Sequence, residues 1–303
     1  MSKLDMNDGL SQLVPLIKQN KLIIFVGSGI SVASGLPTWD ELLEQFIAFC
    51  SRVQKTLNIP ELDVSIINDA TTDRNKYPIR VASVLRDKLK EIESKKSYNL
   101  DKQFKKWFLS VFAGKPFNKN HNLIVNTNYP YILTSNYDNL LEEAAEDLGH
   151  LALAANSFTF DETEKVGQVI YEKRPSIIHV HGDLNDIALD KFVFTAKDYV
   201  RIKKDYPGFT MAIQSLFIHY SILFVGYGGS DPHLEDFVED ICYYFGWAPS
   251  SNLPRFFLTL KHDKVNTILD NYKIKLRTDL IVLDNYDKTQ DLLEALQKES
   301  PRT

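Results

Sequence analysis

Phe25-Val26-Gly27-Ser28-Gly29-Ile30-Ser31-Val32-Ala33-Ser34-Gly35-Leu36-Pro37 is the stretch from which the fold is read. It continues the apolar run Leu22 to Val26, which is short, rich in branched aliphatic residues and closed by glycines. Such a run reads as a buried parallel strand, being too short for an independent helix. Glycines after the strand let the backbone approach a phosphate, and free N–H groups at a helix start attract anions. Ser31 and Ser34 add hydroxyl donors. The turn is not a P-loop, because no Gly-Lys-Ser/Thr follows, and it lacks the full G-x-G-x-x-G fingerprint. Taken alone, it is equally a plain strand-to-helix connection.

Working outward, residues 8–19 place Leu10, Leu13, Val14 and Ile17 at helical spacing. A second helix is expected from about Asp40 to Val53. The stretch 55–125 has no strand-like run of comparable quality. It carries charged helical patterns around Trp107, Phe108, Val111 and Phe112, and is expected to be a helical insertion in one domain spanning 1–303. Its Lys/Glu run at 88–96 reads as an exposed helix face. Strand character returns at Tyr131–Thr134, followed by a helix from Asn139 to about Leu148. Further strands are expected at Leu151–Ala155, Val169–Tyr171, Ile177–Val180, Ser221–Val225, Phe256–Leu260 and Leu280–Leu283. Helices are expected over 195–219, 232–245, 262–271 and 287–298. Strands alternating with helices predict an α/β, Rossmann-like, mostly parallel sheet covered on both faces. Ligands bind such sheets at the carboxyl ends of the strands.

Three more strand ends carry polar residues. In Thr134-Ser135-Asn136-Tyr137-Asp138, Asn136 offers amide donors and a carbonyl acceptor, while Asp138 suits an N-cap. In His179-Val180-His181-Gly182-Asp183, alternation points both histidines to one face. His181, at the strand end beside a glycine, is placed as an accessible imidazole; His179 reads as a buried, hydrogen-bonded one. The fourth, Gly226-Tyr227-Gly228-Gly229-Ser230-Asp231-Pro232, repeats the glycine turn, with Asp231 as a possible N-cap and Pro232 in the first helical turn. Four such loops at one end of a sheet converge on one crevice.

Composition narrows the classes. A formal charge of −5 argues against an electrostatic nucleic-acid binder, although a local basic cleft stays compatible with it. The two cysteines, Cys50 and Cys242, lie far apart in apolar surroundings, which argues for buried thiols and against a zinc ribbon or disulfide framework. No signal peptide is evident, and no apolar run reaches the roughly 20 residues of a membrane span. A soluble, cytoplasmic protein is expected.

These residues resemble the sirtuin superfamily. Gly27 to Trp39 is similar to the G-A-G-x-S-x-x-S-G-I-P-x-F signature, with Ser28 for alanine and Trp39 for phenylalanine. Thr134 to Asp138 is similar to T-Q-N-x-D, His181-Gly182 to the catalytic His-Gly, and Gly226 to Asp231 to the later glycine–serine loop. Protein-deacylating members insert a four-cysteine zinc module after the catalytic histidine, where this chain has only Cys242. Their arginine after the aromatic residue is here Asp40. Asn-Tyr-Asp-Asn, His-Gly-Asp and Gly-Tyr-Gly-x-x-Asp instead look like zinc-free sirtuin-like proteins of bacterial antiphage defence, which hydrolyse NAD and are often regulated by assembly or a partner.

The resemblance implies NAD as substrate, with no metal. His181 would be the base and Asn136 would orient water or ribose. Asp138 would accept from a ribose hydroxyl or hold its loop. Gly27, Ser28, Gly29 and Ser31 would cradle the pyrophosphate. Gly226, Ser230 and Asp231 would line the adenosine half, with Asp284 to Tyr286 near adenine. Pro37 and Trp39 would cover the nicotinamide pocket, or Trp39 would be core. A homo-oligomer is expected, with a partner ATPase or a phage protein as a possible activator. The competing expectations are ADP-ribosyl transfer or deacylation, and a non-catalytic nucleotide-binding subunit of a defence complex.

Overall fold

The computed structural model describes residues 3–59, 78–95, 99–184, 193–227, 253–261 and 278–302, with isolated positions between them. Among the described residues, eight strands form one sheet: β1 Lys3–Leu4, β2 Leu22–Val26, β3 Tyr131–Thr134, β4 Ser157–Thr159, β5 Ser176–His179, β6 Ser221–Val225, β7 Arg255–Leu260 and β8 Thr278–Leu283. Their order is β1-β8-β7-β6-β2-β3-β5-β4, and the pairings are parallel. The chain builds outward from β2 through β3 to β5, then returns to the other side of β2 and continues through β6, β7 and β8. The direction of winding therefore reverses between β2 and β6, and such a switch point opens a crevice at the carboxyl ends.

Registers bring the four critical loops level. Val26 stands opposite Thr134 on one side and Val225 on the other, and Thr134 stands opposite His179. The segments starting at Gly27, Ser135, Val180 and Gly226 consequently leave the sheet side by side.

Alternation within the strands assigns the two faces. Ile23 and Phe25 join a core with Val166, Ile202, Ile213, Leu216 and Phe217. These come from helices α8 (Thr163–Tyr171), α9 (Ala196–Asp205) and α10 (Pro207–His219). Leu22, Ile24 and Val26 face a second core with Leu13, Ile17, Ile124, Leu141, Ala144, Leu292 and Leu296. Those residues lie on α1 (Met6–Lys18), α5 (Lys119–Val125), α6 (Leu140–Asp147) and α11 (Asp287–Glu299). All five β2 side chains are buried, each worth roughly 1.5–3 kcal/mol for an aliphatic or aromatic group. A third core joins α2 (Trp39–Leu57), α3 (Pro78–Lys95) and α4 (Leu100–Phe112) through Phe46, Leu85, Phe104, Trp107 and Phe108. Tyr137, Leu140 and Phe194 belong to it, so this helical layer packs directly on the loop after β3.

Several expectations need correction. Leu151–Ala155 is a short helix, α7, in which Leu153 is buried and Leu151 is 65% exposed. Val169–Tyr171 is the last turn of α8, where Val166 and Val169 share the buried face. Short apolar runs do not distinguish strand from helix, and here the spacing of three decided. The helix expected over 195–219 is two, because Pro207 begins a new one at its first turn. Val180 is a turn residue, and the edge strand β4 carried no alternating apolar signal because its side chains are only half-buried. Except for Tyr243, which is helical and exposed, the helices expected over 232–245 and 262–271 lie outside the described residues, as does Cys242. Cys50 is buried on α2, and burial pushes its thiol up. Among the described residues, no helix is long and apolar enough to cross a membrane.

Candidate active site

A cavity of about 470 Å³ opens at the switch point, within the usual range for small-molecule sites. It brings together Ser28, Gly29, Ser31, Pro37, Trp39, Asn136, Asp138, His181 and Gly226. Ser230 and Asp231 lie outside the described residues. The cavity is also bordered by Tyr199, Tyr227, the end of β7 from Phe257 to Leu260, and Tyr286. Of the Asp284 to Tyr286 segment, Tyr286 therefore reaches the cavity.

The glycines serve backbone packing first. Gly27 N–H donates to Val225 O at 2.9 Å, and Gly29 N–H to Gly226 O at 2.8 Å. A Cβ on Gly27 would stand 2.5 Å from Gly226 O, and one on Gly226, at φ +61°, would stand 2.6 Å from Ile30 N. The loops after β2 and β6 interlock where only glycine fits. Two N–H groups expected to face a phosphate thus hold the neighbouring loop instead. Beyond the glycines, Thr38 and Glu41 form a capping box that starts α2 at Trp39. Trp39 both borders the cavity and packs edge-on against Phe194 at 5.2 Å.

The loop after β3 is held by side chains. Asn136 N–H donates to Thr134 Oγ1 at 3.0 Å, and its carbonyl accepts from His179 Nδ1 at 3.0 Å. Its amide nitrogen donates to Ser31 Oγ at 3.1 Å and Gly27 O at 3.4 Å. Gly27 O can only accept, so the amide orientation is determined, and Oδ1 is the atom left over. That oxygen is buried and has no partner, in a residue lining the cavity.

Ser31 is a junction between three elements. His121 Nδ1 accepts from Asn118 N–H at 3.1 Å, so in the neutral ring Nε2 carries the proton and donates to Ser31 Oγ at 3.2 Å. Burial keeps this ring neutral, pushing its pKa down to about 4. Receiving bonds from both His121 and Asn136, Ser31 donates its own proton to Asp138 Oδ2 at 3.0 Å. The other Asp138 oxygen accepts from Leu140 N–H at 3.3 Å. Burial raises this carboxyl to about 6, against the lowering effects of Ser31, Leu140 and His179. The Ser31 hydroxyl, expected at a phosphate, is committed within the protein. Asn118 and His121 escaped sequence reading, although Asn118-Lys119-Asn120-His121 has the spacing of the capping box they form at the start of α5.

His179 is fully buried, as expected, and its Nε2 meets Glu142 Oε1 at 2.7 Å. Burial opposes its charged form, but the Glu142 carboxylate outweighs it and lifts the imidazole to about 9. His181 borders the cavity, with Tyr199 edge-on at 5.5 Å. Its carbonyl accepts from Val193 N–H at 2.9 Å, and Tyr137 donates its hydroxyl to Val193 O. The histidine loop is thereby tied to the Asn136 loop. A polarisable bond in this cavity would meet an acceptor oxygen and an imidazole held in a largely buried setting.

The description SIR2-like domain matches residues 130–277. The chain is 22% identical over 231 residues to "Defense-associated sirtuin 2" of Bacillus subtilis, covering 73% of this chain and 19% of that protein. It is 22% identical over 307 residues to "NAD(+) hydrolase ThsA" of Enterococcus faecium, covering 93% of this chain and 56% of the relative. A protein of the same name from Acinetobacter baumannii is 23% identical over 237 residues, covering 78% and 42%. The chain thus spans between about a fifth and just over half the length of these relatives. The family match takes in the segments at Thr134 to Asp138, His181-Gly182 and Gly226 to Asp231, while Gly27 to Trp39 lies ahead of it.

Proposed function

We propose that this sirtuin-like protein hydrolyses NAD to nicotinamide and ADP-ribose, acting in the cytoplasm of a bacterium to deplete NAD during phage infection. The observation that carries the reading is that Asn136, whose Oδ1 is a buried acceptor without a partner, lines the same cavity as His181. The relatives' names support the choice of NAD as substrate.

In this reaction the bond between ribose C1′ and the nicotinamide ring nitrogen breaks, and its electron pair neutralises the cationic ring. Water adds to C1′ and releases one proton. Asn136 Oδ1 accepts a hydrogen bond from that water or from a ribose hydroxyl. His181 takes the proton as general base, and holding both reactants in place supplies much of the acceleration. Asp138, bonded to Ser31 and Leu140, holds the loop. The interlocked loops at Gly27 and Gly226, with Ser28, Gly29, Ser230 and Asp231, shape the diphosphate and adenosine side. Pro37 and Trp39 cover the nicotinamide. Activity is gated by self-assembly or by a partner such as an ATPase or a phage protein.

The test is purified protein with NAD, at several protein concentrations, following free nicotinamide and ADP-ribose. His181→Ala and Asn136→Ala should each lower turnover by about 10²–10⁴-fold, the usual scale for general acid–base groups. Turnover equal to the wild type in either variant would sink that residue's role. ADP-ribose linked to an acceptor would mean transfer, and tight binding without consumption, even with candidate activators present, would mean a sensor.

A further inference from the structure

Asn136, which lines the cavity, is held at every hydrogen-bonding group except its side-chain oxygen. Two of these holds, Thr134 Oγ1 and Gly27 O, belong to the sheet and the interlocked glycine loops, and a third is Ser31 Oγ, itself bonded to His121 and Asp138. The fourth, at its carbonyl, comes from a buried histidine paired with a partly buried glutamate. A buried ion pair is weak evidence for stability, because desolvation offsets much of the attraction. We propose that His179 and Glu142 are a positioning pair that fixes Asn136 through its backbone carbonyl and releases it at alkaline pH.

The proposal rests on the reading of Asn136 as the group that orients water or ribose. Asn136 O is a carbonyl and only accepts, so the 3.0 Å bond requires a proton on His179 Nδ1. Nε2 faces a Glu142 oxygen that also accepts from Ser157 Oγ at 2.5 Å. With both nitrogens against acceptors, the ring is an imidazolium against a carboxylate. The charged groups around it agree: Glu142 on α6 and Asp183 after β5 favour the cation, and His179 in turn favours the ionised form of Asp138. When the ring loses a proton to solvent, the remaining one stays on Nε2, because a bond to a carboxylate is the stronger. Nδ1 then turns a lone pair on the Asn136 carbonyl, and the hold becomes repulsion. The midpoint expected for this change is about 9.

Replacing Glu142 by glutamine separates geometry from charge. A glutamine N–H donates to Nε2 of a neutral ring, which keeps its proton on Nδ1 and its bond to Asn136. The experiment is NAD turnover between pH 6.5 and 10 for the wild type, Glu142→Gln, His179→Asn and His179→Leu, with ring ¹⁵N spectra of the wild type and Glu142→Gln. The wild type should lose kcat through an alkaline limb near pH 9, and Glu142→Gln should flatten that limb. His179→Leu should lower kcat about 10- to 100-fold with KM little changed, the scale of a small misplacement at a reacting centre. His179→Asn, whose amide can still donate to the carbonyl, should restore most of the loss. If His179→Leu folds poorly, the other two variants carry the comparison. An unchanged alkaline limb in Glu142→Gln overturns the proposal, as does a wild-type ring at pH 7 with its only proton on Nε2. If the wild type consumes no NAD at any protein concentration, even with candidate activators added, the hydrolase reading fails by itself. The spectra then decide the pair: both nitrogens protonated at pH 7, with Nδ1 losing its proton near pH 9, supports it, and any other state overturns it.

Discussion

The two walls of the crevice are built by opposite means. On the β2–β6 side, the loops at Gly27 and Gly226 interlock backbone against backbone, with no room for a single methyl group. On the β3–β5 side, Asn136 is held by side chains: Ser31, His121, Asp138, His179 and Glu142 form a continuous buried network. The interlock of the first wall is made of backbone contacts, so its shape does not depend on the position of a side-chain proton. The second is assembled from groups whose proton positions decide where the bonds run, so it responds to pH and tolerates isosteric exchange. Shape comes from one wall and tunable chemistry from the other.

The largest effect should come from forcing a methyl group into the backbone wall. Gly226→Ala combines a left-handed φ of +61° with a Cβ at 2.6 Å from Ile30 N. Strain and overpacking together should cost about 4 kcal/mol, read from chemical denaturation. A loss under about 1 kcal/mol would show that the two loops separate freely and would dissolve the contrast between the walls.

The network wall should show itself in the pH dependence of stability. Asp138 holds its proton to about pH 6 when folded, against an ordinary 3.8, so the folded state binds that proton more tightly. Stability contributed at this site is therefore greatest at low pH and falls as pH rises from about 4 to 6, by on the order of 3 kcal/mol. Denaturation midpoints of the wild type minus those of Asp138→Asn should reveal that slope. Equal profiles would mean that the carboxyl is not buried as described.

His121→Phe keeps the ring volume but leaves Asn118 N–H without its acceptor and frees the Ser31 hydroxyl. The expected loss is about 2 kcal/mol in denaturation, together with a higher Asp138 midpoint by carboxyl NMR. The smallest effect sharpens the first. Gly114→Ala shares a left-handed φ of +67° but has open space around its Cβ. It should cost only about 1–2 kcal/mol, isolating backbone strain from the interlock.

How much of this was legible depended on whether a contact is local in sequence. Leu22–Val26 and Tyr131–Thr134 were readable because buried parallel strands are short apolar runs closed by glycine or polar turns. Leu151–Ala155 and Val169–Tyr171 were misread because a run of three to five residues satisfies both periods, and only the buried face, visible after packing, separates them. His181 and Asn136, singled out by their strand-end positions, both line the cavity. His121 was not, since nothing in Asn118-Lys119-Asn120-His121 says that the ring meets Ser31, ninety positions away.

The sequence by itself determined the alternation that splits the sheet into two cores, the order of the four polar strand ends, and glycine at the points where they turn. Those are properties of neighbouring residues, set by side-chain volume and backbone freedom. Only the tertiary structure decided that the winding reverses between β2 and β6, that Gly27 and Gly29 lock onto the loop at Gly226, and that Ser31 is spent on Asp138. Hydrogen bonds are assigned by which donors and acceptors become neighbours in space, and a buried proton's position follows from that geometry.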